Sequence, residues 1–195
     1  MSFQTVALRL SSTRWCALIV LVMVLVLRFF GQPWWCACAQ YVPWTWETIS
    51  SHNSQHVIDA YSFTHVTHGL IFFALLYFAA RKYSVGTRMV LATLLEAGWE
   101  ILENTSFIID RYRAATISLN YYGDSVTNSV ADVACCLLGF YLATKLPWKV
   151  SLALFFVIEV VLLATIRDSL AINIIMLVSP LESIRMWQQG APVGL

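Results

Sequence analysis

Three short runs of ionisable and polar residues stand at helical spacing inside otherwise apolar sequence. The first run has two histidines three residues apart, the second has glutamates at steps of four and three, and the third has aspartates and an asparagine at steps of four. The runs are His65 and His68; Glu96, Glu100 and Glu103; and Asp124, Asn128 and Asp132. Residues three or four apart share one face of a helix, so each run presents its side chains together.

Imidazole and carboxylate groups brought together can hold zinc, iron or manganese, so a divalent metal is the candidate cofactor. The candidate metal ligands are His65, His68 and Asp124, and the candidate catalytic residues are Glu100, Glu103 and Asp132. A bound metal would activate water for attack on an ester or phosphoester, and a remaining glutamate would be the general base. The H-x-x-H spacing differs from the H-E-x-x-H of zinc proteases. Paired carboxylates can also do acid–base work without metal.

The remaining polar residues have simpler interpretations beside their functional ones. Arg111, Arg113 and Asn128 are candidate substrate-binding residues, because a guanidinium can hold a phosphate. Alternatively, the two arginines are interfacial anchors or salt-bridge partners of the carboxylates.

Glu96 and Glu159 lie deepest in their apolar runs and fit protonated, hydrogen-bonding roles, and a structural role is favoured for Glu159. His52 and His56 are expected to be ordinary loop residues. Cys36 and Cys38 are separated by one residue, which is too close for an ordinary disulfide framework and is a weak metal signal alone.

The amino-acid composition indicates that these polar residues belong to a membrane protein. Of the 195 residues 59% are hydrophobic and only 12% are charged, and the mean hydropathy is +0.70. A soluble domain has about a quarter of its residues charged, so this chain has too little polar surface for a water-soluble globule. The net charge of +1 offers no basic field for nucleic acid. The expected partner is the lipid bilayer.

Five apolar segments predict an all-α integral membrane bundle, as a single domain over residues 1–195. Each segment is near the roughly 17–25 residues that a helix needs to cross hydrocarbon, and only helices satisfy their own backbone there. The predicted spans are 15–30, 63–80, 87–108, 125–144 and 150–166. Gly69, Gly98 and Gly139 are expected to let helices approach closely. The segment 171–178 is too short to be predicted as a span.

A short interfacial helix over 179–188 is predicted to follow the last span. Ser179-Pro180-Leu181-Glu182 matches a capping box with proline at the first helical position.

The lysines and arginines favour a cytoplasmic N-terminus. One side of the predicted bundle has Arg9, Arg14, Arg81, Lys82, Arg88, Lys145 and Lys149, and the other has Arg28, Arg111, Arg113, Arg167 and Arg185. The ionisable residues then gather near the periplasmic face. Arg9 and Arg14 before the first apolar run also resemble the start of a signal peptide. An uncleaved anchor is favoured over a cleaved peptide, since the A-x-A at 37–39 lies beyond the bulky Trp34 and Trp35.

Several long stretches resemble an uncharacterised family of bacterial, mostly alphaproteobacterial, inner-membrane proteins. The resemblance covers about residues 32–190, and it rests on SSHNSQHVIDAYSFTHVTHG, LLEAGWEILENTSFIIDRYRAATISLNYYGDSVTNSVAD and NIIMLVSPLESIRMWQ. It implies a multi-pass location in the cell inner membrane and no particular activity.

A weaker likeness is to the VanZ-like membrane proteins, which are linked with envelope glycopeptide resistance. It rests on the order of His65 to His68, Glu96 to Glu103, Arg111 or Arg113, and Asp124 to Asn128. The chain departs from that pattern in its three spaced glutamates, in Asp132 and in having no lysine ahead of the histidines.

Three hypotheses of function follow from these residues. The first is a membrane-embedded metal-dependent hydrolase or transferase that acts on a lipid or envelope precursor at the periplasmic face. The second is a structural or assembly factor of the envelope, in which buried polar groups fix the helix register. The third is a small transporter coupled to cations or protons, for which a homodimer would supply the spans that one chain lacks.

Overall fold

The computed structural model describes residues 3–38, 40–116, 118 and 120–190, with the backbone alone for residues 3–10. The side chain of Arg9, Ala39 of the A-x-A motif and both ends of the predicted single domain lie outside the described residues. Within the described ranges the fold is all helical, with no β-strand and an isolated bridge between Trp44 and Ile58. The helices are α1 (Phe3–Phe29), α2 (Ser62–Ala79), α3 (Val85–Glu103), α4 (Ser106–Ala115), α5 (Val126–Lys145), α6 (Trp148–Ile166), α7 (Leu170–Val178) and α8 (Glu182–Gln188).

Four of these helices contain segments long and apolar enough to cross a membrane, and they indicate a membrane protein. These segments are Ser11–Phe29, Ser62–Ala79, Val126–Lys145 and Trp148–Ile166. They correspond to the predicted spans 15–30, 63–80, 125–144 and 150–166. Hydrophobic runs of this length form helices in lipid because each backbone group is then satisfied within its own segment.

The predicted span 87–108 is wrong at its C-terminal end. α3 ends at Glu103, and α4 begins as a separate helix at Ser106. The cause is Asn104, whose side-chain amide donates back to the Glu100 carbonyl at 2.9 Å and also to Asp124 at 2.7 Å. An asparagine that bonds in this way competes with continuation of the helix. α3 also carries three glutamates and Arg88, so its place as a fifth span stays a prediction.

The predicted capping box at Ser179 is also wrong. Leu181 is the residue before α8, and no side chain caps that helix. Ser179 instead ends α7, because its backbone N–H donates to the Ile175 carbonyl at 2.8 Å. Ser179 therefore belongs to the end of α7, and α8 begins three residues later at Glu182, inside the predicted range 179–188.

α2 and α5 approach closely through two glycines. A Cβ on Gly139 would lie 2.9 Å from the carbonyl carbon of Val66, and one on Gly69 would lie 2.9 Å from that of Cys136. The prediction for these two glycines is therefore confirmed, whereas Gly98 has no atom within 4 Å of such a Cβ. The close approach sets His65 on α2 against α5.

α1 packs along α3 and α5 on another side of the bundle. This contact is a hydrophobic core of Met23, Leu27, Ala97, Val126 and Val133. The polar faces of α2, α3 and α5 therefore meet each other instead of lipid.

Candidate functional site

His65 is the centre of a buried polar cluster formed by α2, α3 and α5. Its Nδ1 makes a short hydrogen bond with Oε1 of Glu96 and lies 3.5 Å from Oε1 of Glu100. Its Nε2 faces the third helix and lies 3.8 Å from Oδ2 of Asp132. The three carboxylates thus surround one imidazole, as the helical spacing of each run requires.

Glu96 lies between the two histidines. Nδ1 of His68 is 3.2 Å from Oε1 of Glu96 and 3.1 Å from Oε2 of Glu96. Glu96 is fully buried. Sequence reasoning placed Glu96 outside the candidate site residues. The signal that could have included it is its step of four from Glu100, which puts both on the face that meets the histidines.

Within this cluster two groups of side chains have the arrangement of a metal site, and both include His65. One is His65, His68 and Glu96, and the other is His65, Glu100 and Glu103. Within each group the ligand atoms lie within 4.8 Å of one another. Nitrogen and carboxylate oxygen ligands at this separation suit a first-row divalent metal.

Several polar atoms in the cluster are buried and have no hydrogen-bond partner among the described residues. They are both carboxylate oxygens of Glu100, Oδ1 of Asp132, Oγ of Ser129 and both amide atoms of Asn128. A buried polar group without a partner costs about 1–3 kcal/mol, and more if it is charged. Such a concentration of unpaired oxygens points to a bound cation or water as the missing partner.

A cavity opens beside the cluster. The space in it that water can occupy is about 50 Å³, which suits a small ion with a few waters. Predicted site residues in its wall are His65, His68, Glu103, Asp124 and Asp132. The other lining residues include Tyr61, Trp99, Tyr112, Tyr121 and Asn173. No lysine or arginine of the described residues lines it.

Asp124 stands in the cavity wall with both carboxylate oxygens already bonded. Oδ2 accepts from the Asn104 amide at 2.7 Å, and Oδ1 accepts from the Tyr121 hydroxyl at 3.0 Å. Burial raises the pKa of Asp124 to about 6, although these two hydrogen bonds oppose the shift. Asp124 belongs to neither ligand group, so its assignment as a metal ligand stays a prediction. Sequence reasoning did not single out Asn104, whose partner is distant in sequence.

The structure places Arg111 and Arg113 away from the cavity. Arg111 donates from Nε to the Leu177 carbonyl at 2.8 Å and from Nη2 to the Val178 carbonyl at 3.3 Å, at the end of α7. Arg113 lies 3.9 Å from Asp110 and over the ring of Tyr122. Arg113 therefore pairs with Asp110 and not with a carboxylate of the candidate site, which was its alternative interpretation. Substrate binding by either arginine stays a prediction.

Glu159 has the structural role that was favoured for it. Its two carboxylate oxygens accept from the backbone N–H groups of Leu170 and Ala171 at 3.1 Å each. These amides belong to the first turn of α7, where the helix itself supplies no acceptor and where a negative charge is stabilised.

The expectation for Cys36 and Cys38 was wrong, because the structure bonds their two sulfurs in a disulfide. Their Cα atoms are 5.2 Å apart, within the range that a disulfide spans. A tight turn after Cys36 brings the side chains together.

The fold and the cluster define an all-helical membrane protein with a buried histidine–carboxylate site between its helices. The family model described as "Protein of unknown function (DUF2585)" matches residues 27–190, and the chain belongs to this family. Among relatives, the UPF0314 protein of Paracoccus denitrificans is 47% identical over 92% of this chain and 94% of its own length.

The UPF0314 protein of Brucella anthropi is 43% identical over 97% of this chain and 100% of its own length. That of Sphingopyxis alaskensis is 41% identical over 93% of this chain and 97% of its own length. The resemblance to an uncharacterised alphaproteobacterial family is thereby confirmed. None of the solved structures is significantly similar to this chain.

Proposed function

We propose that this chain is a metal-dependent hydrolase or transferase of the bacterial inner membrane that acts on a lipid or envelope precursor. The observation that carries the proposal is the cluster of two histidines and three glutamates from α2 and α3, of which His65, His68 and Glu103 line a cavity that water can enter. Unpaired carboxylate oxygens at the same place supply the second support.

The charges of the cluster favour a divalent ion. Four carboxylates stand with two imidazoles, namely Glu96, Glu100, Glu103 and Asp132 with His65 and His68. Metal-bound imidazoles are neutral, so four negative charges would stand in the cluster if all four carboxylates were ionised. A buried charge without a partner is strongly destabilising. One divalent cation would compensate two of these charges and would also give the unpaired oxygens a partner.

The geometry suggests a role for each residue. His65, His68 and Glu96 would hold the metal, so Glu96 replaces Asp124 as the third proposed ligand. Glu100 would act as general base, because both its oxygens are free of hydrogen bonds and Oε1 lies 3.5 Å from His65 Nδ1. Asp132 faces the other nitrogen of His65 and would fix the orientation of that ring, as carboxylates commonly do for metal-bound histidines.

The absence of lysine and arginine from the described cavity wall bears on the substrate. A phosphoester is negatively charged and is commonly held by cationic side chains beside the metal, whereas a carboxylic ester is uncharged and can be polarised by the metal alone. We therefore favour a carboxylic ester or a similar uncharged linkage in a lipid or envelope precursor.

The membrane location and orientation form part of this proposal. The positive-inside rule supports a cytoplasmic N-terminus, which puts the cluster near the periplasmic face. The likeness to VanZ-like proteins would agree with an envelope substrate, but no step of the proposal depends on it. No step of the proposal depends on a homodimer either.

The test is metal analysis of the full-length protein purified in detergent, with Glu96→Gln compared with Glu159→Gln. Both substitutions remove one buried carboxylate charge with little change in volume. We expect Glu96→Gln to lower the bound metal by one equivalent per chain and Glu159→Gln to retain it. Equal metal content in the wild type and Glu96→Gln would overturn the proposed site.

A structural role is the second candidate, and the direct ion pair between His65 and Glu96 favours it. This pair satisfies both partners without a metal. In that case Glu96→Gln would lower the unfolding temperature and leave metal content unchanged.

A further inference from the structure

The loop between α1 and α2 gathers a second set of metal-ligating side chains, apart from the His65 cluster. Cys36, Cys38, His52 and His56 each offer a ligand atom, and these atoms all lie within 4.8 Å of one another. Two sulfur and two nitrogen ligands form one of the common donor sets of structural zinc sites. The geometry points to a zinc site in this loop, held by the dithiol form of the two cysteines.

Two of the distances among the ligand atoms match edges of a zinc tetrahedron. Zinc binds nitrogen at about 2.0–2.1 Å and sulfur at about 2.3 Å, so tetrahedral geometry requires about 3.3 Å between two nitrogens and about 3.6 Å between nitrogen and sulfur. In the structure Nδ1 of His52 lies 3.1 Å from Nε2 of His56 and 3.7 Å from Sγ of Cys36. Both edges are therefore already close to their metal-bound lengths.

A hydrogen bond prepares His56 as a ligand. Its Nδ1 lies 2.7 Å from the Val42 carbonyl oxygen, which can only accept, so Nδ1 carries the proton. The lone pair is then on Nε2, the atom that faces His52. Metal-bound histidines are typically oriented by such a bond to a backbone carbonyl. His56 is also almost fully buried, so its position does not depend on solvent.

The disulfide between Cys36 and Cys38 is the oxidised form of the same ligand pair. Reduction by a phosphine, with one water, gives two thiols and the phosphine oxide. Each thiol then releases a proton as its sulfur binds zinc, and the two sulfurs separate to about 3.8 Å, the corresponding edge of the tetrahedron.

The zinc would fasten the loop that covers the cavity. Asn53 and Ser54, between the two histidines, line the cavity. The backbone N–H of Ser125 donates to the Ser54 carbonyl at 2.9 Å, and the Gln55 side chain donates to the Gly123 carbonyl at 2.7 Å. A metal bound at His52 and His56 therefore holds a segment that is already joined to the start of α5.

Cobalt titration of the phosphine-reduced, full-length protein in detergent tests this site. A thiolate bound to Co²⁺ gives a near-ultraviolet charge-transfer band that a site of histidines and carboxylates cannot give. We expect one equivalent of Co²⁺ to produce this band and one equivalent of Zn²⁺ to remove it. The band should be absent in Cys36→Ser/Cys38→Ser, and the affinity should fall at least tenfold in His56→Ala.

Two controls separate this site from the proposed active site. Cys135→Ser removes a free cysteine, and His68→Ala removes a ligand of the other cluster, so both should retain the band. Reduced wild-type protein without the band, or a double serine variant that keeps it, would overturn the inference. Zinc should also protect Cys36 and Cys38 from alkylation in the phosphine-reduced wild type, and equal alkylation with and without zinc would have the same consequence.

Discussion

Gly139 offers a direct test of the packing that brings His65 and Asp132 together. In Gly139→Ala the new Cβ would overlap the carbonyl oxygen of Val66 and would lie 2.9 Å from its carbonyl carbon, where ordinary contact begins at 3.4 Å. α2 and α5 must therefore separate by more than the roughly 0.5 Å that the carbon alone requires, because the oxygen lies closer still. Because the opposing atoms are backbone, no rotamer change can relieve the contact.

The expected cost follows from that displacement. Overpacking a close contact costs about 1–3 kcal/mol, and a rigid backbone neighbour favours the upper half of this range. Alanine is a better helix former than glycine by about 1 kcal/mol, which offsets part of the loss. A net loss of about 1–2 kcal/mol should lower the unfolding temperature by about 2–8 °C for a chain of this size. Metal affinity should fall with it.

Gly98→Ala is the matched control, because its Cβ meets no atom within 4 Å. There the helix propensity acts alone and should leave the unfolding temperature unchanged or slightly higher. The assay is thermal unfolding of both variants in the same detergent, followed by tryptophan fluorescence. If Gly139→Ala were as stable as Gly98→Ala, the close approach of α2 and α5 would be refuted.

Two further predictions concern charged residues outside the spanning helices. Burial raises the pKa of Asp168 to about 6 from its ordinary 3.8, so its stabilising contribution is present below pH 3.8 and is lost as the pH rises through 6. The unfolding free energy of Asp168→Asn should therefore rise by up to about 3 kcal/mol relative to that of the wild type between pH 4 and 7. A difference in unfolding free energy that does not change with pH would contradict this. Arg111→Ala should destabilise the protein by about 1.5–3 kcal/mol, since it removes charged hydrogen bonds to α7. Arg113→Ala should cost under about 1 kcal/mol. Hydrogen exchange of the α7 amides measures this difference, and equal protection in the two variants would argue against it.

The apolar helices could be predicted from the sequence, because lipid imposes their length and secondary structure together. The predicted spans 63–80, 125–144 and 150–166 differ from α2, α5 and α6 by one or two residues at their ends. The end of α3 could not be predicted in the same way, because Asn104 stops that helix through a bond to Asp124 twenty residues later.

In the candidate site, too, the contacts set by local helix geometry could be predicted and those set by distant parts of the chain could not. Helical spacing predicts that Glu96, Glu100 and the histidines can face each other, since this depends on local geometry. The partner of Arg111 depends instead on where α7 ends, and the ligands in the α1–α2 loop depend on how an irregular segment folds back. Neither leaves a periodic signal in the sequence.

The short helix α7 forms part of the cavity wall. At 1.5 Å per residue its nine residues extend about 14 Å, under half of a bilayer's hydrocarbon core. Its ends are fastened by Glu159 and Arg111 from other helices, while Leu170 and Asn173 line the cavity. Neither fastening residue belongs to the ligand groups. The position of this part of the cavity wall and the histidine–carboxylate cluster therefore depend on different side chains, so substitution of Glu159 or Arg111 can shift the wall without changing a residue of the cluster.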